Sequence, residues 1–126
     1  MDLAHLQNAV QTLARSARAY ENAFEQAVIS GGIFQRKPAE LQALNQILFR
    51  SERTLTAPEG LPGRSWFKHQ LYAPGFYTGY GVKTIPYVRE AVEQQKWPEA
   101  AQGIEVVSRQ ISALASQLDS ATKMLK

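Results

Sequence analysis

The sequence predicts an all-α protein, an antiparallel helical bundle of about four helices, two long, one medium and one short. Three observations predict it. Apolar residues recur at spacings of three and four in a long stretch near each end of the chain. Prolines and paired glycines fall where such stretches start and stop. No alternating apolar–polar run of useful length argues for a sheet.

The first helix is expected from Asp2 to about Ile29. Leu3, Leu6, Val10, Leu13, Ala17, Tyr20, Phe24 and Val28 draw one apolar stripe along it. Asp2 is its candidate N-cap, and Ser30-Gly31-Gly32 is its stop. Pro38 suits the first turn of a second helix running to about Leu55, with Leu41, Leu44, Ile47, Leu48 and Leu55 inward. Thr84 and Pro86 open a short third helix ending near Gln95. Trp97-Pro98 opens the last, whose stripe is Ala101, Ile104, Val107, Ile111, Leu114, Leu118, Ala121 and Leu125. Gly103 marks a place of close packing. At ~1.5 Å per residue both long helices span roughly 40 Å.

The distinctive segment is the connection from Gly60 to Pro86. It holds five of the eight glycines, three of the six prolines and half of the aromatic residues. Loops of more than about 12–15 residues in a compact protein are functional or disordered. Aromatic content argues against disorder. Phe67 to Tyr72 reads as a short extended piece and Tyr72-Ala73-Pro74-Gly75 as a turn.

Composition narrows the function. With 126 residues the chain is one domain, long enough to bury a core. It has no cysteine, which removes disulfides and thiolate metal sites. His5 and His69 are the two histidines, and neither has a metal-ligand spacing. No catalytic residue and no metal site is expected, since no GxSxG elbow and no converging His/Asp/Glu set is present. No signal peptide is visible, and no apolar run approaches the ~18–20 residues of a membrane span. The net charge is +3, but the fourteen Lys and Arg are interleaved with acids. Solvated helix faces explain them better than a nucleic-acid footprint.

A few residues carry sharper expectations. His69 is either a substrate contact or a buried imidazole donating to a backbone carbonyl. The second is preferred, because no acidic partner is in view. Arg53, at the end of the second helix, can tie loop carbonyls or a carboxylate, or merely complement the helix dipole. Tyr77 and Tyr80 stand among Gly75, Gly79 and Gly81, where backbone can approach a ligand. Each ring either packs on the bundle or presents its hydroxyl outward.

Glu52-Arg53, Gly60-Leu61-Pro62, Arg64, Phe67-Lys68-His69, Tyr72-Ala73-Pro74, Tyr80 and Pro86 together resemble the C-terminal part of glutamate carboxypeptidase II-type zinc peptidases. That part is the transferrin receptor-like dimerisation domain. The resemblance covers nearly the whole chain and is specific from Glu52 to Pro86. It implies a helical domain, residues 1–126, cut from the C-terminus of a larger multidomain peptidase. It implies a homodimer, contact with the protease domain of the same parent, and zinc and a general base in that missing domain. It implies no nucleic-acid partner and no membrane insertion by these residues, and it leaves the compartment open, an exported or membrane-anchored parent included.

The resemblance also assigns roles. In glutamate carboxypeptidase II a Lys-Tyr pair in this loop recognises the substrate's terminal glutamate. Tyr80 matches the tyrosine, while Gly79 stands in place of the lysine. A carboxylate site without that cation loses a charge-assisted donor, so selectivity for glutamate is expected to be weaker. Arg53, His69, Tyr72 and Pro74 are expected to anchor the loop. A stand-alone helical adaptor, binding a protein or peptide through the aromatic loop, stays open beside this reading.

Overall fold

The computed structural model describes residues 1–77 and 81–126. Helix α1 runs Ala4–Ile29, α2 Pro38–Arg50, α3 Pro86–Glu93 and α4 Trp97–Leu125. Leu3, and not Asp2, occupies the cap position of α1; Asp2 lies one residue ahead, its carboxylate accepting the Ala4 N–H at 2.8 Å. Gly31, at φ 72°, turns the chain where only glycine does so cheaply. A 3₁₀ turn, Gly32–Gln35, leads to α2.

The second helix ends earlier than its stripe suggests. From Ser51 to Leu55 the chain tightens into a 3₁₀ turn. The Ser51 and Thr54 hydroxyls donate to the carbonyls of Leu48 and Ser51 at 2.6 Å each. Such back-bonding competes with the α-helical ladder.

The segment Tyr72–Pro74 is a strand, β1, and not the turn its composition suggests. It pairs antiparallel with β2, Val82–Thr84, in the register Tyr72↔Thr84, Ala73↔Lys83 and Pro74↔Val82. Among the described residues only two strands pair, so a proline lacking an N–H is tolerated at this edge. Extended chain precedes the hairpin, where Thr56 bridges His69 and the Gln70 N–H bonds to the Leu55 carbonyl. Ile85, and not Thr84, occupies the cap position of α3, at φ 46°. Its N–H is drawn back to the Leu71 carbonyl.

α4 is the axis of the molecule. Three apolar clusters lie along it. Ala57, Leu61, Ala73 and Tyr87 meet Val106 near its start. Ala9, Leu6, Leu13, Ile85 and Val88 meet Val107 and Ile111. Ala27, Leu44, Tyr20, Ile47 and Leu48 meet Ala121 and Leu125. A Cβ on Gly103 would lie 2.5 Å from the Tyr87 ring, so the expected close packing is that of α3 on α4.

The helical class holds, with one difference in direction. His5 sits beside Glu105, Ala9 beside Val107 and Ile111, and Ala27 beside Ala121 and Leu125. The two long helices are therefore parallel to each other. α2 and α3 both run opposite to α4, one against its C-terminal half and one against its N-terminal half. Two return legs placed in series leave the long helices pointing the same way.

Candidate functional site

The hairpin and the turns before it form one end of the molecule, and an arginine organises them. Arg64 follows Gly63, whose φ of 70° reverses the chain, and a Leu61–Arg64 bridge closes that turn. The side chain is buried. It donates to the Pro74 carbonyl and to Glu90 Oε2, each at 2.5 Å. Its guanidinium lies over the Phe67 and Phe76 rings, 5.5 and 5.3 Å from their centroids. The other oxygen of Glu90 accepts the Phe76 N–H at 2.8 Å. One helix turn on, Glu93 receives Lys83 of β2 and Arg89. Hydrogen bonding from Lys83, aided by Arg89, holds the Glu93 carboxyl below the usual range against a smaller opposing effect of desolvation.

Beside this clamp, Tyr87 plugs the junction of α3 and α4. Burial, with the charges of Glu99 and Glu59, pushes its phenol up and keeps it neutral. A shallow cavity opens between Pro62, Gly63, Phe76, Tyr77, Tyr87 and Glu99. Around it Trp66, Tyr72, Phe76, Tyr77 and Val82 leave large apolar surfaces in solvent.

His69 has an acidic neighbour after all. Glu52 Oε1 stands 3.7 Å from its Nε2, contributed by the 3₁₀ turn. The ring does not donate to a carbonyl as expected. Its Nδ1 accepts the N–H groups of Leu71 and Tyr72, at 3.2 and 3.4 Å, which assigns the proton to Nε2. Tyr72 lies against the ring with centroids 4.5 Å apart. Arg53 is exposed on the same 3₁₀ turn and lines a groove with Phe49, Glu52, Thr56 and His69. Pro74 gives its carbonyl to Arg64. Gly79 and Tyr80 lie outside the described residues.

Sequence reasoning passed over Arg64 and Glu90, counting both as solvated charge. A signal was present for the second. Pro86, Tyr87, Glu90 and Ala91 share one face of α3, and that face is buried, the Glu90 side chain being only 12% exposed. For Arg64 the cue was an arginine inside an aromatic, glycine-rich stretch.

A second surface lies away from the hairpin. On α1, Leu3, Val10, Ala17 and Phe24 recur every seven residues and are exposed. Leu6, Leu13, Tyr20 and Ala27, three residues after each, turn toward α4. Spacings of this kind alternate between two neighbouring seams of a helix. Only one seam is covered in the monomer.

Among the described residues no group of three or more His, Asp or Glu could hold a metal ion, and no helix is long and apolar enough to cross a membrane.

Comparison with known proteins places the chain. The model of the transferrin receptor-like dimerisation domain family matches residues 1–125. A probable glutamate carboxypeptidase of Arabidopsis thaliana is 29% identical over 126 residues, all of this chain and 17% of the relative. A probable glutamate carboxypeptidase of Arthroderma benhamiae is 38% identical over 77 residues, 61% of the chain and 11% of the relative. An inactive zinc metalloprotease of Schizosaccharomyces pombe is 28% identical over 86 residues, 68% of the chain and 10% of the relative. The chain spans less than a fifth of the length of these relatives.

Proposed function

The chain belongs to the transferrin receptor-like dimerisation domain family, and from that premise we propose that it joins two copies of a zinc-dependent, glutamate carboxypeptidase-like exopeptidase and lends loop 75–83 to the substrate pocket of its own subunit. In this reading residues 1–126 are one domain of that larger protein, and they hold no catalytic machinery. Zinc and the general base belong to a peptidase domain outside them, in keeping with the relatives' names.

The observation that carries dimerisation is the bare seam on α1. Val10 is 50% and Phe24 40% exposed, with Leu3 and Val28 alongside. A two-fold interface covers the same patch on both copies, and such a stripe gives each copy a ridge to set against the other. Light scattering on the full-length protein tests it. The protein is expected to be a dimer, and Phe24→Asp to leave monomers with unchanged helix content. A Phe24→Asp protein that stays dimeric would remove α1 from the interface.

The loop reading is supported by apolar surface that this chain does not bury. Phe76, Tyr77 and Val82, on either side of residues 78–80 in sequence, are exposed, as is Trp66 in the turns before the hairpin. A peptidase domain docked on them would cover these side chains and place Tyr80 toward the substrate, with Arg53, His69, Tyr72 and Pro74 anchoring the base of the loop. Gly79 supplies no cation, so discrimination between acidic and neutral terminal residues would be modest. Tyr80→Phe is expected to raise KM for a dipeptide with a free terminal carboxylate, with unchanged thermal stability. Identical kinetics would reduce Tyr80 to packing.

The inactive relative favours a second reading in one respect. A relative that matches 68% of this chain is named as inactive, so the parent of this chain can be a non-catalytic assembly of the same architecture. Absence of zinc from the purified full-length protein would select that reading.

A further inference from the structure

Loop 75–83 leaves the bundle through two adjacent peptide groups, and both are fixed by one buried ion pair. The Pro74 carbonyl accepts from Arg64, and the Phe76 N–H donates to Glu90. Between them the Gly75 N–H bonds to the Gly81 carbonyl at 2.8 Å and closes the loop's neck. Arg64 and Glu90 bond to each other, with side chains only 6% and 12% exposed. Four groups from three segments therefore meet in a single arrangement.

Stability alone is a poor reason for such a pair. Desolvating two charges offsets most of their attraction, and apolar residues of like volume often do as well. What the pair supplies is geometry. A guanidinium fork is planar and rigid, so its two bonds fix a direction as well as a distance. Contact with the Phe67 and Phe76 rings restricts it further.

We infer that Arg64 and Glu90 are positioning residues, which fix the backbone at residues 74–76 and so set the angle at which the chain departs toward the proposed substrate pocket. The inference rests on the proposed role of that loop in a substrate pocket. A loop whose base is fixed in advance loses less freedom on binding, and the gain appears in affinity. Removing the clamp should therefore act on KM and spare kcat, the pattern of an interaction equal in ground and transition states.

The test combines hydrogen exchange with kinetics on the full-length protein, using the dipeptide Ala-Glu as probe. Arg64→Leu is expected to speed exchange across residues 75–83 while α4 keeps its protection. KM should rise about tenfold with kcat within about twofold. Glu90→Gln keeps an acceptor for the Phe76 N–H and should lie between Arg64→Leu and the unaltered protein. Should Arg64→Leu loosen α4 as well, Glu90→Gln carries the same test. Unchanged exchange in 75–83 overturns the inference. Faster exchange with unchanged KM also overturns it, provided that Tyr80→Phe does alter KM. If neither variant alters KM, the pocket role itself has failed.

Discussion

α1 and α4 are nearly equal in length and similarly striped, yet they live in different surroundings. α4 buries eleven of its 29 residues, α1 three of its 26. α4 meets α1, α2, α3 and the 3₁₀ turn before the loop, whereas α1 leans mainly on α4. A stripe in sequence thus reports that a face wants cover, not that the same chain provides it. The buried stripe holds the fold, and the half-bare one is surface kept for another molecule.

The sharpest way to break this comparison is one substitution made twice. Val107 is fully buried and Val10 is half exposed. Val107→Ala should cost about 2–3 kcal/mol, two methyl groups plus a residual cavity. Val10→Ala should cost less than about 0.5 kcal/mol in dilute monomer. Urea unfolding measures both. Equal costs would mean that α1 is as much core as α4. A Val10→Ala penalty that grows with protein concentration would instead assign its apolar surface to the dimer.

Next in size is Gly103→Ala. The new methyl would meet the Tyr87 ring and not a yielding chain end. Overpacking of this kind costs typically ~1–3 kcal/mol, against the small gain in helix propensity that alanine brings elsewhere. A stabilised Gly103→Ala protein in thermal melts would show that α3 can slide along α4. Met, Leu or Phe substitutions at exposed Ala17, by contrast, should leave the melting temperature of the dilute monomer unchanged.

The smallest effect concerns the loop's second strand. The Glu93 carboxyl is depressed by its bond from Lys83, so its folded form binds a proton less readily than the unfolded chain. Its contribution is present above the ordinary carboxylate range and is lost as pH falls through the lowered value. The difference in melting temperature between the protein and Glu93→Gln should therefore be greatest near neutrality and vanish in acid. A difference that widens on acidification would reverse the assignment.

Much of the frame was legible in the sequence. The stripes, Pro38, Pro86 and Pro98 mark the helices because period and proline geometry act locally. Gly103 was legible too, since a lone glycine inside a strong helix has few other uses. Three matters were not. The direction of α1 relative to α4 depends on how α2 and α3 stack along α4, which no local pattern records. Tyr72-Ala73-Pro74-Gly75 reads as a turn by residue type but is drawn into a strand by a partner eight to twelve residues away. Arg64 looks like any surface cation until Glu90, 26 residues on, and two phenylalanines close around it. Of the expected anchoring set, His69 and Tyr72 lie ring against ring and Pro74 follows in the same strand, while Arg53 is exposed beside the groove that His69 lines; residues 78–80 lie outside the described residues.

The parallel course of the long helices also decides the molecule's wiring. Leu6 and Leu13 sit with Leu71, Ile85 and Val88, so the chain's first residues lie level with the hairpin. The last residue leaves from the opposite end, roughly 30 Å further along α4 from Glu105 at ~1.5 Å per residue. Anything tethered ahead of residue 1 is delivered beside the loop. A label or fusion intended to leave that end free belongs after Lys126.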